Sequence, residues 1–231
     1  MRPLCHAAGA VSVVRKIRGS DSPYVERITH VSYGSKVDDV TTPDGCWDIV
    51  VMRHAGRLAI LRTGVITAPV SLGYDPGDEY ISISFRPGVF MPRTPGVEMV
   101  DRAHFLPTPS KRSFWLEGSA LEIPTFENAE GLADRLVRGG IIVRDDIVDG
   151  LVTGRPKAAT ERSVQRHFLR ALGLTSKGLA QIQRACRAVD LLQQGRAPAD
   201  VAVDLGYADQ PHMTRSLKRL MGRTPGEIAR R

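Results

Sequence analysis

The sequence predicts an α+β protein, with a β-rich N-terminal half followed by an all-α C-terminal domain. Three observations predict it. Up to about residue 125, short apolar runs are broken by Gly/Pro turn formers; after residue 127 the apolar spacing becomes helical; and the excess positive charge collects in the last third.

In the first half, Ile81, Ile83 and Phe85 alternate with Ser82, Ser84 and Arg86, the period-2 signature of a strand with one face buried. Ile49-Val50-Val51, Leu58 to Leu61 and Gly64-Val65-Ile66 read as further short strands. Turn formers bound them at Pro43-Asp44-Gly45, His54-Ala55-Gly56, Asp75 to Asp78 and Arg86-Pro87-Gly88. Many short strands with this punctuation point to a small barrel or a sandwich. Asn128 to Arg138 and Ile142 to Val152 then read as helices separated by Gly139-Gly140, with Leu132, Leu136 and Val137, then Ile147, Val148 and Leu151, on their apolar faces. Gly154-Arg155-Pro156-Lys157 interrupts the helical pattern and marks a boundary. The organisation expected is therefore 1–126 β-rich, 127–154 a helical linker region, and 155–231 a helical domain.

Charge separates the same regions. Residues 151–231 hold 15 lysines and arginines against 6 aspartates and glutamates, whereas residues 1–150 hold 17 against 19. A basic third attached to a near-neutral remainder suits a segment that neutralises phosphates.

The clearest unit lies near the C-terminus. Pro198 to Leu205 reads as a short helix with Val201, Ala202 and Leu205 inward, followed by Gly206 where the chain must turn. Asp209 is placed to cap a second helix, which buries Met213, Leu217, Leu220 and Met221 at 4, 3 and 1 spacing. Its other face carries Gln210, His212, Arg215, Lys218 and Arg219, the polar first turn and basic outer face that major-groove entry requires. His212 has two open readings, as a donor to DNA or as packing near Tyr207. Upstream, Thr160 caps a helix to Leu172 whose stripe is Val164, Phe168 and Leu172; Arg162, Ser163, Gln165, Arg166 and Arg170 are left on the outward side. Gly178 to Gln194 reads as a connecting helix with Leu179, Ile182, Cys186 and Val189 on one face, about 25 Å long at ~1.5 Å per residue.

The stretch ADVAVDLGYADQPHMTRSLKRLMGRTPGEI (199–228) resembles the second helix-turn-helix of AraC/XylS-type regulators, and TERSVQRHFLRALGLTSKGLAQIQRACRAVDLL (160–192) resembles their first recognition helix with its connecting helix. Two departures stand out: Met213 replaces the usual aromatic, and the segment before Thr160 is short and contains Pro156. PDGCWDIVV (43–51) and ISISFRPGVFMP (81–92) resemble more weakly the cupin-like barrel that precedes such domains. The resemblance implies a cytoplasmic regulator of transcription that reads double-stranded DNA through two helix-turn-helix motifs. Arg162, Ser163, Gln165, Arg166, Gln210, His212, Arg215, Lys218 and Arg219 would make the DNA contacts. Residues 1–126 would sense an effector and pair two copies of the chain, and RNA polymerase is a further partner that such a regulator implies.

Other chemistries lack a pattern. Cys5, Cys46 and Cys186 are odd in number and far apart, which does not suggest a disulfide framework. None of the six histidines forms a His-x-His pair, so His54, His104, Cys46 and Asp48 are expected as solvated or hydrogen-bonded side chains and not as metal ligands, and no cofactor is expected. Ser82 and Ser84 lie in no Gly-x-Ser-x-Gly context, and no Gly-rich phosphate loop is present, so no enzyme is expected. Trp47 and Arg86 are the candidates for an effector contact. The mean hydropathy is −0.16 and no apolar run approaches the ~18 residues that span a bilayer, so no membrane partner is expected. The competing reading is a cupin-like binding protein or enzyme with an accessory basic tail.

Overall fold

The computed structural model describes residues 13–108 and 110–230, so Cys5 lies outside the described residues. Eleven strands come first: β1 (Val13–Gly19), β2 (Val25–Tyr33), β3 (Val37–Thr41), β4 (Trp47–His54), β5 (Arg57–Thr63), β6 (Val70–Tyr74), β7 (Glu79–Phe85), β8 (Val89–Phe90), β9 (Ala103–Leu106), β10 (Ser113–Leu116) and β11 (Ser119–Glu122). Then follow α1 (Ala129–Arg138), β12 (Val143–Arg144), α2 (Asp146–Val152), α3 (Glu161–Leu172), α4 (Ser176–Gln193), α5 (Pro198–Asp204), α6 (Gln210–Met221) and α7 (Pro225–Ala229). The α+β organisation is the predicted one.

Six strands form one antiparallel sheet in the order β1-β2-β7-β4-β5-β9. The alternation read at residues 81–86 is β7, whose Ile83 and Phe85 are fully buried. The β4–β5 hairpin turns at Ala55 and Gly56, both with positive φ, the backbone a two-residue primed turn demands. Asp78 secures that turn by accepting from the Ala55 N–H at 2.9 Å and from His54 Nδ1 at 2.7 Å. The ribbon β3–β6 covers one end of the sheet, where Tyr74 stacks on Tyr33 at 4.1 Å between centroids.

Gly64-Val65-Ile66 departs from the expected strand and forms a loop. Its backbone bonds instead to the chain at 101–102, and a Cβ on Gly64 would lie 1.9 Å from the Met99 carbonyl oxygen. Absence of a side chain lets two backbones meet where a strand would have diverged.

The helix expected over 142–152 starts only at Asp146. Val143 and Arg144 extend β8 as an antiparallel partner, and Asp145 then caps α2 by accepting from the Ile147 and Val148 N–H groups. Leu151, expected on the buried face, is exposed.

Two principal cores result. One joins the sheet to α1, α2 and α3, and runs from Ile28, Ile49 and Phe85 through Leu132 and Leu136 to Phe168 and Leu172. The other is helical, built by Ile182, Ala185, Val201, Ala202, Met213, Leu217, Leu220 and Ile228 of α4 to α7.

Candidate nucleic-acid interface

The α5–α6 unit follows from local chemistry. Pro198 opens α5, where its missing N–H is not needed. Gly206 takes φ 67°, which allows the Tyr207 N–H to return to the Ala202 carbonyl at 2.9 Å and turn the chain within a few residues. Asp209 accepts from the His212 N–H at 2.6 Å and starts α6. Met213, Leu217, Leu220 and Met221 are all buried, and Gly222 in the left-handed region ends the helix. Gln210, His212, Arg215, Lys218 and Arg219 are all exposed on the opposite side.

Two of the cations on α6 already have internal partners. Lys218 donates to the Gly222 carbonyl at 3.1 Å, and Arg219 donates to Gln181 Oε1 on α4 at 3.1 Å. His212 stands edge-on to the Tyr207 ring at 5.5 Å, with Nδ1 accepting from the Ala208 N–H. Its packing role is therefore visible, while the imidazole as a whole remains exposed.

Helix α3 carries the other candidate readers. Thr160 accepts from the Ser163 N–H at 3.2 Å, as its sequence position predicts. Arg162, Gln165 and Arg166 are exposed and Ser163 is half-buried. Arg170 is exposed, as expected, and its guanidinium also lies over the Phe90 ring of β8 at 5.0 Å. The inward face meets the β-rich half. A Cβ on Gly96, in the 3₁₀ turn Gly96–Glu98, would lie 2.5 Å from the Leu172 carbonyl carbon, so backbone packs on backbone there. Helix α4, capped by Thr175 at Gly178, touches the same half through Leu179 beside Gly45 and through the Cys186 thiol, which donates to the Pro43 carbonyl at 3.5 Å. Burial, then the Asp44 carboxylate, push the Cys186 thiol up to about 11.

Residues 158–231 match the family described as a helix-turn-helix domain. The C-terminal third is an AraC-type helix-turn-helix domain. Within it α5 and α6 are joined by the turn at Gly206, and α2 packs on α3 from outside the matched range. Comparison with curated proteins finds no match. Among solved structures, ToxT from Vibrio cholerae is similar in a 1.65 Å form at 12% identity and a TM-score of 0.44, covering 94% of this chain and 98% of that one. ToxT bound to (E)-4-(8-methylnaphthalen-1-yl)but-3-enoic acid is similar at 11% identity and a TM-score of 0.45, with 94% and 98% covered. Unsaturated-fatty-acid-bound ToxT gives 10% identity, a TM-score of 0.41 and 95% of each chain.

The helix-turn-helix domain also holds features the sequence reading passed over. Helix α7 closes the second core with Ile228, and its capping box pairs Thr224 with Glu227, a T-x-x-E pattern present in the sequence. Asp145, next to the helical run of 146–152, likewise carried a capping signal.

In the β-rich half, Trp47 is buried, stacks on Phe85 at 4.1 Å and donates from Nε1 to the Val89 carbonyl at 2.7 Å. Arg62 lies over its ring at 5.4 Å, and burial lowers that guanidinium to about 10. Arg86 donates to the Val25 carbonyl at 3.1 Å and pairs with Glu26. Neither Trp47 nor Arg86 lines the open cleft of about 420 Å³ between the sheet and residues 111–125, whose lining includes Val51, Leu58 and Ile81, the cations Arg53, Lys111 and Arg112, and the carboxylates Glu79 and Glu122. Among the described residues, His, Cys, Asp and Glu form no group of three placed to hold a metal ion. No helix of the described residues is long and apolar enough to cross a membrane.

Proposed function

We propose that this chain is a cytoplasmic, sequence-specific regulator of transcription that binds duplex DNA through α3 and α6, with its β-rich half as the effector-responsive part. The observation that carries the reading is α6. Its buried apolar back fixes the helix on α4 and α5, while Gln210, His212, Arg215, Lys218 and Arg219 stand exposed on a capped, domain-defining recognition helix. Arg and Gln supply bidentate partners for guanine and adenine edges, and the lysine adds phosphate neutralisation. Arg162, Gln165 and Arg166 repeat this chemistry on α3, with Ser163 beside them.

The cleft combines apolar Val51, Leu58 and Ile81 with charged Arg53, Lys111, Arg112, Glu79 and Glu122, which gives the β-rich half a place for a small amphipathic effector. In this reading the β-rich half also pairs two copies of the chain, and the DNA-bound regulator engages RNA polymerase.

Selection of bound sites from a random duplex pool by the full chain tests the function directly. The expected result is a site with two conserved segments, bound far more tightly than scrambled DNA and weakening steeply with salt. Recovery of no enriched sequence refutes the reading.

A further inference from the structure

Asp145 stands where three parts of the molecule meet. Its N–H donates to the Gly88 carbonyl of the β-rich half at 2.8 Å, directly after the β12–β8 pairing. Its Oδ1 accepts from Ile147 and Val148 and caps α2 at 3.0 and 3.2 Å. Its Oδ2 accepts from His167 Nδ1–H of α3 at 2.6 Å. Capping accounts for the first oxygen alone. The side chain is only 6% exposed, and a buried carboxylate is costly unless its remaining lone pairs are met; His167 meets them.

The consequence lies in helix geometry. Val164, Phe168 and Leu172 form a single stripe, and a stripe of apolar contacts is non-directional, so it tolerates some roll of the helix about its axis. His167 projects about 100° round the helix from Phe168, and Arg166 about another 100° further, at 3.6 residues per turn. A directional bond from His167 removes the roll that the stripe permits and so fixes where Arg162 and Arg166 point. The bond's acceptor is held by the β-rich half, because Gly88 is adjacent to Val89, whose carbonyl also accepts from Trp47.

We propose that Asp145 and His167 are a positioning pair that sets the presentation of α3 to DNA and ties it to the state of the β-rich half. This rests on the DNA-binding reading for its purpose, though not for its geometry.

The test uses the full chain and a site selected by the parent protein, whose two halves are assigned to α3 and α6 by Arg166→Ala and Arg215→Ala. Leucine at position 167 removes the donor; asparagine restores an N–H at the same remove from Cβ as imidazole Nδ1. His167→Leu is expected to bind the intact site about tenfold more weakly, the scale of one charge-assisted hydrogen bond. Scrambling the α3 half should then cost that variant little, while scrambling the α6 half should cost it as much as it costs the parent. His167→Asn should bind within about twofold of the parent, since it recovers the bond. Hydrogen exchange on the DNA-free chain should show faster exchange through α3 and at the Asp145 amide in His167→Leu, and parent-like exchange in His167→Asn. Parent-like binding by His167→Leu, or an equal loss at both halves that asparagine does not repair, overturns the proposal. If the parent itself selects no DNA, the DNA reading falls, and parent-like exchange in His167→Leu would then overturn the pair as well.

Discussion

Helices α3 and α6 present similar faces to solvent and opposite relations to the rest of the molecule. Helix α6 buries Met213, Leu217, Leu220 and Met221 in the helical core it shares with α4, α5 and α7. Helix α3 buries Phe168, Ala171 and Leu172 in the core that also contains Ile49 and Phe85 of the sheet. The contrast teaches that α6 is carried by the helical domain, whereas α3 is carried in part by the β-rich half.

Truncation of the two cores should expose that contrast most strongly. Phe168→Ala should cost about 3–5 kcal/mol, and Leu217→Ala about 2–5 kcal/mol, by lost burial and the cavity left behind. Trp47 and Trp115 both belong to the β-rich half, so tryptophan emission reports that half. Urea unfolding followed by emission should shift strongly in Phe168→Ala and weakly in Leu217→Ala, while far-ultraviolet circular dichroism shifts in both. An unmoved emission transition in Phe168→Ala would break the claim that α3 shares the sheet's core.

A smaller change probes the same joint without a cavity. Gly96→Ala places a methyl 2.5 Å from the Leu172 backbone, which must move because neither partner is a flexible side-chain end. The expected cost is about 1–3 kcal/mol in unfolding, the range for overpacking a tight contact. On a selected DNA site the loss of affinity should fall on the α3 half. Equal loss on both halves would show that the joint does not act on α3 in particular.

The side chains proposed to face DNA should separate by role more than by size. Arg215→Ala is expected to cost about 1–3 kcal/mol on the preferred site and to relax sequence choice there. Lys218→Ala should weaken all duplexes alike and flatten the salt dependence, because a lysine beside the helix end acts mainly on phosphate. Identical behaviour of the two variants on specific and random DNA would refute the assignment.

Much of the helix-turn-helix domain was legible because its determinants are local. The Asp209 cap, the turn at Gly206 and the four buried residues of α6 each declare themselves within a dozen positions. The β-rich half was legible as strands, yet its sheet order joins β2 to β7 and β4 to β7, pairings that no local pattern encodes. The stripe Val164, Phe168 and Leu172 reads the same whether it packs on a helix or on a sheet, so the α3 contact with Gly96 stayed hidden. His167 gave no periodic signal at all, since its partner is 22 positions away and half its meaning lies in Asp145.

The two regions should also differ in their response to pH. Among the described residues, the buried charged side chains Arg62, Asp78 and Asp145 all precede α3. Asp48, on β4, adds a half-buried carboxylate whose Oδ1 is enclosed without a hydrogen-bond partner. Burial, with the Asp44 carboxylate next in importance, pushes its pKa up to about 6. A raised carboxyl pKa means that the folded chain holds this proton more tightly than the unfolded chain. The stabilisation is therefore complete below about pH 4, where both states are protonated, and is lost as the pH rises through about 6. Asp48→Asn is uncharged in both states, so it should raise stability by about 1 kcal/mol near pH 7.5 and leave it unchanged near pH 4. Urea midpoints read by tryptophan emission at the two pH values check this, and an equal shift at both would mean that packing, not charge, sets the effect at this position.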